Sequence, residues 1–341
     1  MKSFILKFIQ AAWVRKGVIF YLVLVPLSWL FVAITALRRW AYRAGVLKSY
    51  ALPVPVIIVG NINVGGSGKT PVTIWLANQL KQHSYQPAVI SRGYGGSATQ
   101  ATSVTPASLP SIVGDEPVLI ASRSQCPVWI GADRVQVATE LLKAHPTCNV
   151  IISDDGLQHY RLKRDIEIAI VDANMPPAGA YLLPAGPLRE SVSRLNTVDA
   201  IVINGEASNI KAGEKTIDAA FQMQLVGEQF YNLADASIKA TAEDFTQKSI
   251  QAMAGIGKPM RFFEHLRKLG LNFASVSFDD HYKFSKEDLA KIDCDILIMT
   301  EKDAVKCKPF AKPHYWVLPV AASIDAALMP IILQKLATLK E

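Results

Sequence analysis

The sequence predicts an α/β protein: a doubly wound, mainly parallel sheet with a second, smaller α/β domain and an N-terminal membrane helix. Three observations predict it. Apolar, β-branched runs such as Val56-Ile-Ile-Val59, Val150-Ile-Ile152 and Ile166-Glu-Ile-Ala-Ile-Val171 read as strands buried on both faces. The intervals between them hold helical patterns, the crossovers that parallel neighbours require. A glycine-rich bend follows the first of these strands and runs into Lys69-Thr70-Pro71, with Pro placed for the first turn of a helix.

Strand, glycine loop, Lys-Thr and helix together make a P-loop, so the sheet is of the P-loop NTPase type. Asn63, Val64, Gly65, Gly66, Ser67, Gly68, Lys69 and Thr70 form the expected nucleotide cradle. Its glycines let backbone N–H groups approach a polyphosphate. Lys69 reaches the β- and γ-phosphates, Thr70 offers a hydroxyl to Mg²⁺, and the helix N-terminus adds positive potential. Asn63 stands where the common motif has its first Gly. The competing reading is a chance glycine loop between strand and helix.

Ahead of the loop, Gly17 to Leu37 carries no charge; as a helix it spans roughly 31 Å, enough for a hydrocarbon core. The run is too long for a signal-peptide core, and Arg38-Arg39 stand where a cleavage site is expected. A retained anchor is the expectation. Lys2, Lys7, Arg15 and Lys16 precede it and Arg38, Arg39, Arg43 and Lys48 follow, which leaves the positive-inside rule balanced. A P-loop needs cytoplasmic nucleotide, so the bulk of the chain is expected on that face. A helix lying in one leaflet and a buried core helix are the rivals; Trp13, Tyr21, Trp29, Trp40 and Tyr42 suit an interface either way.

The 341 residues are expected to divide into 1–48 (anchor), 49–195 (P-loop domain) and 196–341 (second α/β domain). Half the residues are hydrophobic, and the net charge of +7 favours an anionic partner: nucleic acid, an acidic membrane or a phosphorylated substrate. Cys126, Cys148, Cys294 and Cys307 show no C-x-x-C pair, which argues against a zinc site or a disulfide framework.

In order after the P-loop come a helix over 72–80, a strand over 87–90 and a Ser/Thr/Ala/Pro stretch to about Ser111, expected as a loop. Arg92 in Ser91-Arg-Gly-Tyr94 is either chemically active or an ordinary solvated Arg. Asp115-Glu116 precede a helix: they cap it and complement its dipole, or they serve as metal ligand or general base. A strand over 127–130 and a helix over 133–143 follow. The strand Asn149–Ser153 then runs into Asp154-Asp155, the place of a Walker-B-type acid, with His159 nearby as a ligand or as a structural His. Leu183-Pro-Ala-Gly-Pro-Leu-Arg-Glu190 reads as a rigid junction between domains. The second half adds strands over 198–203 and 252–254, a helix opened by Pro259, and a strand over 272–278. A Ser285-capped helix, strands over 295–300 and 315–318, and a closing helix over 324–339 complete it. His281 beside Asp279-Asp280 is an acid/base or orienting residue, or part of a plain turn.

In order along nearly the whole chain, these motifs resemble the tetraacyldisaccharide 4′-kinase (lipid A 4′-kinase) family of Gram-negative bacteria. The resemblance rests on the apolar N-terminal helix, Val59-Gly-Asn…Gly-Gly-Ser-Gly-Lys-Thr-Pro71, Ser91-Arg-Gly-Tyr94 and Gly114-Asp-Glu-Pro117. Asp154-Asp-Gly-Leu-Gln-His159, Leu183-Pro-Ala-Gly-Pro-Leu-Arg-Glu190, Asp280-His281 and Thr300-Glu-Lys-Asp-Ala304 complete it. The family tolerates a non-Gly residue where Asn63 stands. The resemblance implies transfer of the γ-phosphoryl group of ATP to the 4′-hydroxyl of an acylated glucosamine disaccharide 1-phosphate at the inner membrane, with the catalytic domains on the cytoplasmic face. It implies Asp115 as the base, with His281 paired to it across the interdomain cleft. It implies Lys69 on the phosphates, Thr70 and Glu116 at Mg²⁺, and Asp154 and Asp155 completing the acidic catalytic cluster. Arg189 is implied as a phosphate or transition-state contact. No nucleic acid and no obligate protein partner is implied. Two other readings are a membrane-tethered P-loop ATPase or GTPase and a nucleotide-sensing scaffold; the first leaves Asp280-His281 without a task, the second the strand-end carboxylates.

Overall fold

The computed structural model describes residues 13, 17–18, 20–173, 180–205, 211–212, 215–216 and 220–339; Lys2, Lys7, Arg15 and Lys16 lie outside them. The chain packs as two compact units, neither continuous in sequence: one drawn from 1–69, 150–223 and 324–341, the other from 70–149 and 224–323.

The first unit is organised around the P-loop strand, Val56–Gly60, every residue of which is buried. Val150–Asp154 pairs with it in parallel on one side and Ile166–Asp172 on the other. Ala200–Asn204 and then Ala220–Val226 extend the parallel set outward. The inner strands are buried at every position because both of their faces are covered, whereas Ala220–Val226 buries only Phe221 and Met223 on alternate positions. The Leu183–Glu190 stretch, expected as a junction, lies inside this unit. Val64 N–H donates to Pro187 O at 2.8 Å and Arg189 N–H to Ile62 O at 2.7 Å, so it runs along the loop it helps to shape.

The N-terminal helix, Val25–Arg43, follows a π-helical turn over Phe20–Leu24. Phe20, Leu24 and Val25 pack on Tyr181 and Ala185, and Ser28 Oγ donates to Leu182 O at 2.8 Å. The rest of the surface stays uncovered: Leu22, Trp29, Leu30, Ile34, Leu37 and Trp40 are exposed. Phe20–Arg43 is long and apolar enough to cross a membrane. Its exposure argues against the buried-core-helix reading.

The second unit carries a parallel pair, Pro87–Ser91 with Val128–Ile130, and Thr102–Val104 antiparallel to the latter. The Ser/Thr/Ala/Pro stretch expected as loop thus contains a strand, and then a short helix over Pro110–Val113. Its six-stranded sheet runs Lys239–Ala240, Phe230–Asn232, Tyr315–Leu318, Ile296–Thr300, Ile250–Ala254, Ala274–Ser277. Successive residues point to opposite faces. Ala252, Ala254, Ile296 and Ile298 meet Phe262, Phe263 and Leu266 of the helix Pro259–Lys268 on one face. Met253, Leu297 and Met299 meet Leu289, Ala304 and Cys307 on the other. Capping follows the sequence closely. Ser285 and Asp288 form a full capping box, and Asp133, expected as the first helical residue, instead caps Arg134–Ala144 by accepting from Val135 N–H. The closing helix is shorter than expected, Leu328–Thr338. Ile324 ends a further strand, Ala321–Ile324, and the Asp325 carboxylate accepts from Ala327 N–H in a turn that separates the two.

Candidate functional site

In the first unit the P-loop is built by side chains that hold its backbone. Asn61 Nδ2 donates to Ser67 Oγ at 3.0 Å, and Asn204 Nδ2 donates to Ser67 O at 3.0 Å. Gly68 needs to be Gly on two counts: its φ is +96°, and a Cβ would sit 2.8 Å from Asn204 Nδ2. Gly65, at φ +105°, has open space where its Cβ would be, the free approach that a phosphate needs. Asn63 is buried, so the missing first Gly places an amide in the interior rather than over the loop mouth.

Lys69 Nζ stands 3.6 Å from Asp155 Oδ1, and Arg189 Nη1 reaches both carboxylate oxygens of Asp155 at 3.1 and 3.2 Å. Two cations thus converge on one carboxylate, itself held at a left-handed φ of 49°. Asp154 is buried at the end of its strand, in register with Val59 of the P-loop strand, which is the Walker-B position. Next to Arg189, Glu190 is buried and accepts from Gln158 Nε2 at 2.8 Å and Tyr160 Oη at 2.7 Å; Arg39 of the N-terminal helix lies 3.5 Å away. Burial and the Glu190 charge push the Tyr160 phenol up to about 12.

The second unit holds the other constellation. Gly114, at φ +91°, turns the chain into the helix Asp115–Ser124, so Asp115 and Glu116 occupy its first turn. They stand where they complement the dipole but do not cap the helix, since Gly114 is the N-cap; Asp115 Oδ1 accepts from Glu116 N–H at 2.9 Å. Asp115 also meets His281: Nδ1 lies 3.0 Å from Oδ1 and 3.2 Å from Oδ2. The expectation of a pairing across an interdomain cleft is corrected here, since both residues belong to this one unit. His281 does sit in a turn, closed by Tyr282 N–H donating to Asp279 O at 3.1 Å, but the turn is not plain: His281 has φ +59°, its ring contacts Tyr94 edge-on at 5.0 Å, and Lys302 Nζ lies 3.3 Å from Nε2. Lys302 also holds Glu116 at 3.0 Å and Asp280 at 3.1 Å, and Lys306 Nζ stands 3.7 Å from Asp115 Oδ2. Sequence reasoning assigned no role to Lys302 or Lys306; the signal was Thr300-Glu-Lys-Asp at a strand end. Arg92 is exposed.

Burial pushes the Asp115 carboxyl up, but the His281 hydrogen bond and the charges of Lys302, His281 and Lys306 outweigh it, and the net direction is down. For His281, burial and Lys302 push down while Asp115 and Asp280 push up, and the net direction is up. Asp115 therefore contributes stability that is present above its unfolded value of 3.8 and is lost as pH falls through the lower folded value. In His281→Ala the hydrogen bond disappears while burial remains. The acid-unfolding midpoint, followed by circular dichroism, is expected to move to higher pH; an unmoved midpoint would show that His281 does not hold the charge.

Among the described residues no group of three or more His, Cys, Asp or Glu side chains converges as a protein-built metal centre.

A model of the family described as Tetraacyldisaccharide-1-P 4′-kinase matches residues 20–337. The tetraacyldisaccharide 4′-kinase of Methylobacillus flagellatus is 48% identical over 320 residues, 94% of this chain and 93% of that protein. That of a Janthinobacterium species is 47% identical over 340 residues, 97% of this chain and 96% of the relative. Among solved structures, an “apo” form of LpxK from Aquifex aeolicus in complex with ATP is 29% identical with a TM-score of 0.77, covering 91% of this chain and 98% of that one.

Proposed function

The chain belongs to the tetraacyldisaccharide-1-phosphate 4′-kinase family, and from that premise we propose that it moves the γ-phosphoryl group of ATP to the 4′-hydroxyl of an acylated glucosamine disaccharide 1-phosphate. The observation that carries the reading is the buried Asp115 carboxylate paired at 3.0 Å with the half-buried His281, in a chain that also has a P-loop. A P-loop alone serves hydrolysis equally well; an oriented carboxylate beside an imidazole suits a hydroxyl acceptor.

Phosphoryl transfer asks for positioning and charge neutralisation rather than covalent chemistry. Loop amides from Asn63 to Gly68 cradle the β- and γ-phosphates, and Lys69 and Arg189 answer the charge that grows on the transferring oxygens. Asp155 keeps those two cations aimed until phosphate replaces it as their partner. His281 Nδ1 lies within reach of both Asp115 oxygens, at 3.0 and 3.2 Å, and orients the carboxylate that in this reading takes the hydroxyl proton. Thr70 and Glu116 would hold Mg²⁺, with Asp154 as the buried acid beside the P-loop strand; the ion supplies charge neutralisation when bound.

The direct test is transfer of labelled γ-phosphate from ATP to purified disaccharide 1-phosphate in detergent. Labelled lipid is expected; acceptor-independent release of labelled inorganic phosphate with no lipid product would overturn the reading in favour of an ATPase.

The uncovered face of the N-terminal helix supports attachment to the inner membrane, with the catalytic units on the cytoplasmic side where ATP is found. Leu30 and Ile34 are both more than half exposed on it. Aspartate near the centre of an inserted helix costs about 3 kcal/mol. Leu30→Asp with Ile34→Asp is therefore expected to move the protein from the floating to the soluble fraction in a liposome flotation assay. Undiminished flotation would place the attachment elsewhere.

A further inference from the structure

Thr300-Glu-Lys-Asp303 closes the strand Ile296–Thr300 and opens the helix Glu301–Cys307. Three of its members have local structural tasks. Thr300 caps the helix by accepting from Asp303 N–H, Asp303 accepts from Gly255 N–H at 2.9 Å, and Glu301 pairs with Arg123 at 2.6 Å. Lys302 has a different set of partners: Glu116 Oε1 at 3.0 Å, Asp280 Oδ1 at 3.1 Å and His281 Nε2 at 3.3 Å.

The chemistry of those atoms decides their roles. An ammonium group has three protons and no acceptor, so it donates to each of the three. Nε2 of His281 must then accept. A neutral imidazole that accepts at Nε2 carries its proton on Nδ1, and Nδ1 is the atom 3.0 Å from Asp115 Oδ1. The opposite tautomer would turn a nitrogen lone pair toward a carboxylate. We propose that Lys302 is a positioning residue for the phosphoryl transfer: its ammonium group holds His281 in the Nδ1–H tautomer and so orients the hydrogen bond to Asp115. The proposal rests on the reading of Asp115 as proton acceptor.

Three further points support it. The Lys302 side chain is only 15% exposed, so water does not compete freely for its protons. Burial pushes its ammonium pKa down, yet Glu116, Asp115 and Asp280 together push it up, which keeps it a donor at neutral pH. Tyr94 packs against the His281 ring at 5.0 Å, a contact that helps to hold its orientation.

The test uses the full-length enzyme in detergent, with Lys302→Met and Lys302→Arg made alone and in a His281→Ala background. Wrong-tautomer losses reach about 10⁴ in the best-known hydrolytic triad; here, with His281 one step from the reacting oxygen, Lys302→Met is expected to lower kcat on the order of 10- to 100-fold. KM for ATP and lipid should hold steady, and the loss should vanish when His281 is already Ala. Lys302→Arg keeps a charged donor and should restore most of kcat. Equal losses in both backgrounds, or a change confined to KM, would overturn the proposal. Nitrogen-15 NMR of the wild-type histidines gives a reading that requires no variant to fold: His281 is expected to carry its proton on Nδ1, and a proton on Nε2 overturns the assignment. The two failures are distinct. Full activity of Asp115→Asn removes the proton-acceptor reading, whereas an Nε2 proton removes the role of Lys302 itself.

Discussion

Asp115→Asn is expected to lower kcat for lipid phosphorylation by about 10²–10⁴, the range of a lost general base. The amide has the size of the carboxylate and still accepts through its carbonyl, so the helix start at Gly114–Asp115 and the contact to His281 have a stand-in. What the amide lacks is a lone pair basic enough to take the hydroxyl proton. KM for ATP should change little, because Asp115 lies at the start of the helix Asp115–Ser124 and not in the nucleotide loop. Parallel assays of lipid phosphorylation and ATP affinity separate the possibilities. A kcat within tenfold of wild type would reduce Asp115 to its other legible role, a negative charge at a helix N-terminus, worth about 0.3–1 kcal/mol of stability.

Lys69→Ala carries the second large effect. Its ammonium group is the cation at the head of the helix Lys69–Gln82 and is only 14% exposed. Removing one preorganised charge contact to a phosphoryl transition state costs about 10²–10³ in kcat. The same change leaves Asp155 paired with Arg189, 3.1 Å away, so the fold should persist. Single-turnover transfer at saturating ATP measures the chemical step and an ATP titration the binding step. Rates and affinities equal to wild type would show that the glycine loop, for all its geometry, is not where the γ-phosphate sits. Lys69→Arg is not a rescue, since a planar guanidinium does not replace a point charge in so tight a loop.

Much of this protein is written locally. Val56–Val59 is apolar at every position, and the strand is buried at every position. Pro259 opens its helix, Ser285 caps its own, and Phe262, Phe263 and Leu266 fall on the face that meets the sheet. Gly68 is Gly because a left-handed φ and the Asn204 side chain leave no room for a Cβ. Each of these depends on periodicity, capping or sterics within a few residues, which is information a single chain carries in its order. Weak local signals specify less. Thr102–Val104 and Ala321–Ile324 are short strands whose polar and small residues carry no run of apolar side chains, so their pairing partners decide them.

The candidate site shows the same division more sharply. The types of its residues were legible: a Lys-Thr after a glycine loop, carboxylates at strand ends, a His beside an Asp. Their partners were not. Lys302 meets Glu116 across 186 positions of sequence, His281 meets Asp115 across 166, and Arg189 turns back to Asp155 across 34. Such pairs are set by which strands lie side by side, and parallel neighbours are separated by whole crossovers. The left-handed conformations of Asp155 and His281 likewise have no mark in composition, because neither residue is Gly and the surrounding contacts hold them there. Sequence alone determined the apolar central strands, the phosphate loop, the apolar helix and the acids and bases available. Tertiary structure decided which charge faces which, because electrostatic partnership depends on distance in space.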